Sequence, residues 1–405
     1  MVGASRRLKE LQVHSNPDSM ANTLRRLPAA EARQPGPLSQ LEDVGTLTFV
    51  TMGADIGFDG WREGLGRLQT VLVDRGCRSI KRFKAKFEME PIDRRIFPTL
   101  SAIETFTRTV CVKPDIPVDI SILLSEEHLH ETEYFDLGLL CDVPTRPEPS
   151  PFIQRHIQQM AAASLSAFFT VRPHHLTNPG PLDTPSPAAI ALAHSLTFTK
   201  VLDVVITEDD DVVYAEEEVQ PDPVVLNHLP HNAFPAARRL IVNSREAKVM
   251  GRKMVHKMPA VKEIDLSVTD PTEEQAVGML QALGRGRHLE RFDSGCVMGL
   301  GEGGVTWGDM ADKLPTISVL EMFVEVPEDL GDGDAAGEFG IACVRSLLKI
   351  RGIKELRFQP IPNEAFKRLV EERTNGDAIE GLEKRHDISW GGYQENMLIL
   401  KPLDT

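Results

Sequence analysis

Apolar and polar positions along the chain repeat one frame. It is clearest in FPTLSAIET from Phe97, FPAARRLIV from Phe234, MPAVKEIDL from Met258 and LPTISVLEM from Leu314. An apolar residue and Pro are followed by a small residue or Thr, an apolar residue, two variable positions, and Leu or Ile. The position before Pro is disfavoured for helix, so a preceding helix is expected to stop there. The chain then runs extended, with alternate residues on one face. The pattern therefore predicts a short strand at each of the four places.

Versions without Pro add Leu8, Leu11 and Val13; Val44, Leu47 and Phe49; and Ile80, Phe83 and Ala85. Further ones are Val201, Val204 and Ile206; Leu289 and Phe292; and Ile353, Leu356 and Phe358. Starts recur at 36 residues from Leu8 to Val44 to Ile80 and from Val201 to Ala237. They recur at 28 from Val261 to Leu289 to Ile317, and at 36 from Ile317 to Ile353. Helix-patterned pieces lie between them: PFIQRHIQQMAAASL, PTEEQAVGMLQAL and GEFGIACVRSLLKI. Apolar triplets alone arise often by chance, so the Pro frame, the spacings and the intervening helices carry the weight.

Together these features resemble the leucine-rich-repeat superfamily, in which strand and helix alternate at roughly 20–29 residues per unit. Here the units are longer, no Asn recurs after the strand, and the motif does not resolve residues 104–200. Such irregular arrays are similar to repeat proteins of filamentous fungi that often follow an F-box. Residues 1–45 show no F-box pattern, and the array is expected to be already under way at Leu8. The resemblance implies an α/β solenoid with a parallel concave sheet, helices on the convex side and long loop insertions. It also implies one irregular repeat domain over residues 1–405. Pro-rich loops are expected near 141–151 and 172–187, and an acidic insertion at 207–222, which holds eight acids and no base.

Composition narrows the partners. A net charge of −15 and a pI near 5.3 argue against nucleic acid as the main partner, because its binding rests on gathered Lys and Arg. No long apolar run predicts a membrane span, and the N-terminus lacks the apolar core of a secretory signal. The five cysteines, Cys77, Cys111, Cys141, Cys296 and Cys343, are scattered without a C-x-x-C. Buried thiols in a reducing compartment, cytoplasm or nucleus, are expected.

Candidate chemistry is sparse. GLGEGG, residues 299–304, has the G-x-G-x-x-G spacing of a dinucleotide-binding turn, with Glu321 about 20 residues on. It offers the alternative of a nucleotide-dependent oxidoreductase. Against it, Asp293, Ser294, Gly295 and Cys296 read as too polar for the central strand that should precede the glycines. The helix expected near residues 305–314 is short and carries Gly308. A repeat loop accounts for the same residues. His128, His130, His174, His175, His228 and His231 lack partners at metal-ligand spacings. Cys296 has no partner pattern for nucleophilic chemistry. No catalytic residue, cofactor or metal is expected. In CRSIKRFKAKF the residues Arg78, Arg82, Lys84 and Lys86 read as the outward face of a half-buried strand.

In a strand–helix array the residues flanking the second apolar position of each triplet face outward. The resemblance thus implies a partner-binding surface that includes Gln12, Thr48, Lys84, Asp203, Ile241, Asp265, Asp293, Glu321 and Arg357. Glu263, Arg291 and Glu355 extend it. Asp265, Asp293 and Glu321 should stack on consecutive units as an acidic stripe suited to a protein partner with a basic patch. The function expected is a non-catalytic protein-interaction scaffold, of which a substrate-recognition subunit of a ubiquitin ligase is one form.

Overall fold

Six parallel strands built on those triplets lie side by side in chain order in the second half of the protein. A computed structural model describes residues 8–11, 14–31, 35–50, 58–89, 96–113, 118–124, 134–141, 143–171, 185–208, 224–243, 248–266, 273–297, 307–325, 334–361, 368–369, 386–391 and 397–402. The structure is mixed α/β with mostly parallel strands, and none of its described sheets closes into a barrel. It packs as two units. One is Met1–Phe168 with Pro181–Lys200 and Pro223–Pro230; the other is Phe169–Gly180 with Val201–Asp222 and His231–Thr405.

In the first unit β1 (His14–Ser15), β2 (Asp43–Val50), β3 (Arg82–Met89) and β4 (Val118–Leu124) form a parallel sheet in that order. Helices α1 (Pro17–Leu24), α2 (Phe58–Asp74) and α3 (Ile96–Val110) separate them in the chain. Arg67 of α2 clamps Asp18 of α1 through two hydrogen bonds of 2.6 and 2.8 Å. A parallel pair, β5 (Tyr134–Asp136) with the start of β6 (Ser166–Val171), follows, with α4 (Pro151–Ala163), α5 (Pro187–Ser195) and α6 (Val224–Asn227).

The second unit contains β7 (Asp203–Glu208), β8 (Arg239–Asn243), α7 (Lys248–Val255), β9 (Glu263–Asp265), α8 (Glu273–Leu283) and β10 (His288–Val297). It continues with α9 (Trp307–Met310), β11 (Thr316–Glu325), α10 (Asp334–Leu347) and β12 (Glu355–Ile361). Strands β13 (His386–Gly391) and β14 (Met397–Pro402) close it, β14 antiparallel to both β12 and β13.

The register explains why these residues make strands. Val204, Leu240, Ile264, Phe292, Leu320 and Leu356 are partners across β7 to β12, and none is more than 1% exposed. Val201, Ala237, Val261, Leu289 and Ile317 form a second buried column before them; Ile206, Val242, Leu266, Ser294, Met322 and Phe358 form a third behind. Each column removes one apolar strip from water, which is the main favourable contribution to folding here. A second device recurs at the strand entries. The Leu202 carbonyl accepts from the Arg238 and Arg239 amides at 2.8 and 3.2 Å, Arg238 from Lys262 and Glu263 at 2.7 and 2.9 Å, and Lys262 from Glu290 and Arg291 at 2.7 and 3.2 Å. The same forked bond starts β2 and β3, from the Lys9 carbonyl to Glu42 and Asp43 and from Glu42 to Lys81 and Arg82.

Helices cover the apolar side at close range. A Cβ on Gly251 of α7 would meet Val242 Cγ2 of β8 at 3.0 Å and Met279 Cε of α8 at 2.8 Å, so the glycine sets that approach. Trp307 of α9 is fully buried, with its ring centroid 6.3 Å from that of Phe292. Gly308 donates its amide to Ser346 Oγ of α10 at 2.7 Å, at a place where a Cβ would meet that oxygen at 2.9 Å.

Three sequence expectations are corrected. FPTLSAIET is not a strand but the first part of α3, whose buried residues Ile96, Phe97, Leu100, Ile103, Phe106 and Val110 follow helical periodicity. Pro98 sits in the first turn, where its missing N–H costs nothing, so an apolar–Pro pair can open a helix as well as end one. Residues 293–296 do not end the strand: β10 runs to Val297, with Asp293 paired to both β9 and β11, Ser294 to β11 alone, and the register shifting between Ser294 and Val297. Cys141 is exposed rather than buried, whereas Cys77 and Cys343 are buried, and none of Cys77, Cys111, Cys141 and Cys343 is in a disulfide. Burial pushes the Cys77 thiol up to about 11 and the Cys111 thiol up to about 12, so neither is an ionised nucleophile at neutral pH.

Candidate partner-binding face

On the side of β7–β12 opposite the buried columns, two rows of side chains run across the strands. One consists of Val205, Ile241, Asp265, Asp293, Glu321 and Arg357, each the register partner of the next. The other consists of Asp203, Arg239, Glu263, Arg291, Val319 and Glu355. Neighbouring strands are about 4.8 Å apart, so consecutive side chains in a row touch.

Asp265, Asp293 and Glu321 do stack on consecutive strands. Asp203 is placed differently from the expectation, because it pairs with Arg239 and belongs to the Glu263 and Arg291 row. Val205 takes the position beside Ile241. Sequence reasoning missed Val205, Arg239 and Val319, although they flank Val204, Leu240 and Leu320 as the chosen residues flank theirs. Thr48 and Lys84 lie on the four-stranded sheet of the first unit, two positions out of step: Thr46 pairs with Lys84, and Thr48 with Lys86. The strands start three residues out of step, with Asp43 on Arg82; the irregularity between Asp43 and Thr46, where Gly45 adopts φ 77°, takes back one of them and leaves a slip of two. It makes Ala85, not Phe83, the partner of Leu47. Arg82 and Lys84 are exposed and Ala85 is buried, which is the alternation expected of that strand. Gln12 lies outside the described residues.

The rows are tied together by guanidiniums. Arg291 donates to Asp293 Oδ2 at 3.0 Å and to Glu321 Oε2 at 2.9 Å. Arg357 donates to Glu355 Oε1 at 2.7 Å and to Glu321 Oε2 at 3.3 Å. Arg239 lies 3.2 Å from Asp203. Six carboxylates, of Asp203, Glu263, Asp265, Asp293, Glu321 and Glu355, thus face three guanidiniums, and the face stays acidic.

Asp293 is the most enclosed of these groups. Its side chain is 10% exposed, and Oδ1 has no hydrogen-bond partner among the described residues. Burial, then the charges of Glu321 and Asp265, push its carboxyl up to about 6, with Arg291 opposing. Arg357 is held above its ordinary pKa, chiefly by its hydrogen bond to Glu355. At one end of the face Val205 and Ile241 are half-buried apolar residues.

Elsewhere the candidates stay apart. GLGEGG lies outside the described residues, as do His128, His130, His174 and His175. The helix after the glycines, α9, is a single turn. Glu321, the acid at dinucleotide-motif spacing, is engaged by Arg291 and Arg357. His228 makes an edge-to-face contact with His194 at 5.4 Å. Among the described residues no three His, Cys, Asp or Glu side chains are grouped so as to hold a metal, and no helix is long and apolar enough to cross a membrane. No family model matches the chain, and no curated protein matches it.

Proposed function

We propose that the protein is a non-catalytic interaction scaffold, a leucine-rich-repeat-like solenoid that binds a protein partner on the outward face of β7–β12. The observation that supports this most is the row Asp265, Asp293 and Glu321, brought into register on three adjacent strands with the face left net acidic. The recurrent buried columns and forked entry bonds support the repeat reading, since they return at the spacings seen in the sequence. A row of aligned, partly exposed side chains on a rigid sheet is suited to recognition. Its carboxylates favour a partner with a basic patch, chiefly through the association rate.

The resemblance to fungal repeat proteins makes substrate recognition for a ubiquitin ligase, inside the cell, the first form of scaffold to test. The test is affinity purification of the tagged chain from its native cells beside an Asp265→Lys variant. A small stoichiometric set of proteins that the variant loses supports the reading. A chain that returns alone, or a set that the variant retains in full, overturns it.

A further inference from the structure

The outward face has one group whose chemistry is incomplete. Asp293 Oδ1 is buried without a donor among the described residues, although Oδ2 of the same carboxylate is held by Arg291. A buried acceptor left without a partner is unfavourable, and a donor arriving there would relieve that cost. The surroundings fix the sign of that donor. From β9 the facing groups are Glu263 and Asp265, from β10 Arg291, and from β11 Glu321, itself shared between Arg291 and Arg357. Five carboxylates, of Glu263, Asp265, Asp293, Glu321 and Glu355, beside the two guanidiniums of Arg291 and Arg357 favour a further positive charge.

We propose that the partner of this face presents one basic side chain to the Asp265–Asp293–Glu321 row and that this side chain bonds Asp293 Oδ1. This rests on the scaffold reading and names the anchor within it. Arg291 is 43% exposed and spans the row from its surface, so it can swing aside without disturbing the buried columns. Next to the carboxylates, Ile241 and Val205 offer apolar contact in the same row, so the fitting segment carries a basic residue followed by apolar ones. A protonated Asp293 presents no net charge to such a side chain. With its carboxyl pushed up to about 6, the anchor is charged at pH 7.5, and docking weakens as the pH falls through 6.

The test follows the Asp293 titration directly. Full-length chain labelled at aspartate carboxyl carbons is titrated by NMR, alone and with the tripeptide Ac-Arg-Arg-Arg-NH2, and the Asp293 signal is assigned with Asp293→Asn and Asp293→Glu. The midpoint is expected to fall by roughly one to three pH units with the peptide, the range for an opposite charge within a few ångströms. The signal of exposed Asp312, which is not part of either row, should not respond to the peptide. No shift at Asp293, or an equal shift at both, overturns the proposal. An equal shift with spermidine would assign the row to a free polyamine and overturn the protein occupant. If the partner is lost by Asp265→Lys yet retained at full affinity by Asp293→Asn, with the midpoint unmoved, the scaffold stands and this anchor falls.

Discussion

Asp293 and Glu321 are register partners on adjacent parallel strands, and the single guanidinium of Arg291 bonds both. Two carboxylates are thereby held side by side by one cation, with Asp265 as the next acid in the row. Like charges opposite one another oppose pairing, so this arrangement costs stability.

That cost is measurable. The folded Asp293 carboxyl titrates at about 6, well above the ordinary range near 3.9, so the folded state binds this proton more tightly than the unfolded state. The penalty is full above pH 6 and is relieved as the pH falls towards 4. A gap of that size between the folded and unfolded midpoints corresponds to roughly 2–3 kcal/mol. Asp293→Asn is therefore expected to be more stable than the wild type in urea denaturation at pH 7.5, with the difference vanishing near pH 4. Equal stability at both pH values would remove Asp293 from this role.

His156 behaves oppositely. It is 2% exposed, Nδ1 lies 2.8 Å from the Phe152 carbonyl, Nε2 has no partner among the described residues, and burial lowers its pKa. The folded state holds the ring neutral while the unfolded state takes up a proton near pH 6.5, so this contribution is full above pH 6.5 and lost as the pH falls. His156→Gln should flatten that part of the stability profile between pH 7 and 5. A variant profile parallel to the wild type would refute it.

How much of the fold is legible in the sequence depends on the periodicity each segment carries. The triplets around Leu240, Ile264, Leu320 and Leu356 are readable because Pro or a helix end fixes their start and both alternate positions are apolar. The third position of β10 is Ser294, buried without being apolar, which is why the sequence makes that strand look shorter than it is. Strands β4, β5 and β6 lack the frame, so nothing in the pattern marks them. The outward row is predictable in its acidic members because register follows triplet alignment. The same alignment, Val204 on Leu240, would have put Asp203 in the Glu263 row, whereas the two-residue slip at Lys84 cannot be read without the pairing itself.

The buried columns give a direct check of register. Leu320 is fully buried between Phe292 and Leu356, so Leu320→Ala should cost about 2–5 kcal/mol and Leu320→Asp should leave no soluble, native-like protein. Far-ultraviolet dichroism and urea denaturation read both. A native-like Leu320→Asp protein would contradict the register.

Close helix–sheet approach at Gly251 gives another. Gly251→Leu must displace Val242, a strand residue, as well as the flexible end of Met279, and should destabilise by about 1–3 kcal/mol. A melting temperature unchanged from the wild type would show that α7 does not pack there.

The most direct measurement is carboxyl footprinting. Wild-type chain, alone and bound to the protein that co-purifies with it, would be labelled at Asp and Glu and mapped by mass spectrometry. The account predicts protection of Glu263, Asp265 and Glu355 in the complex and unchanged labelling of Asp312. Labelling of the three acids that does not change on complex formation would contradict a partner on the face of β7–β12.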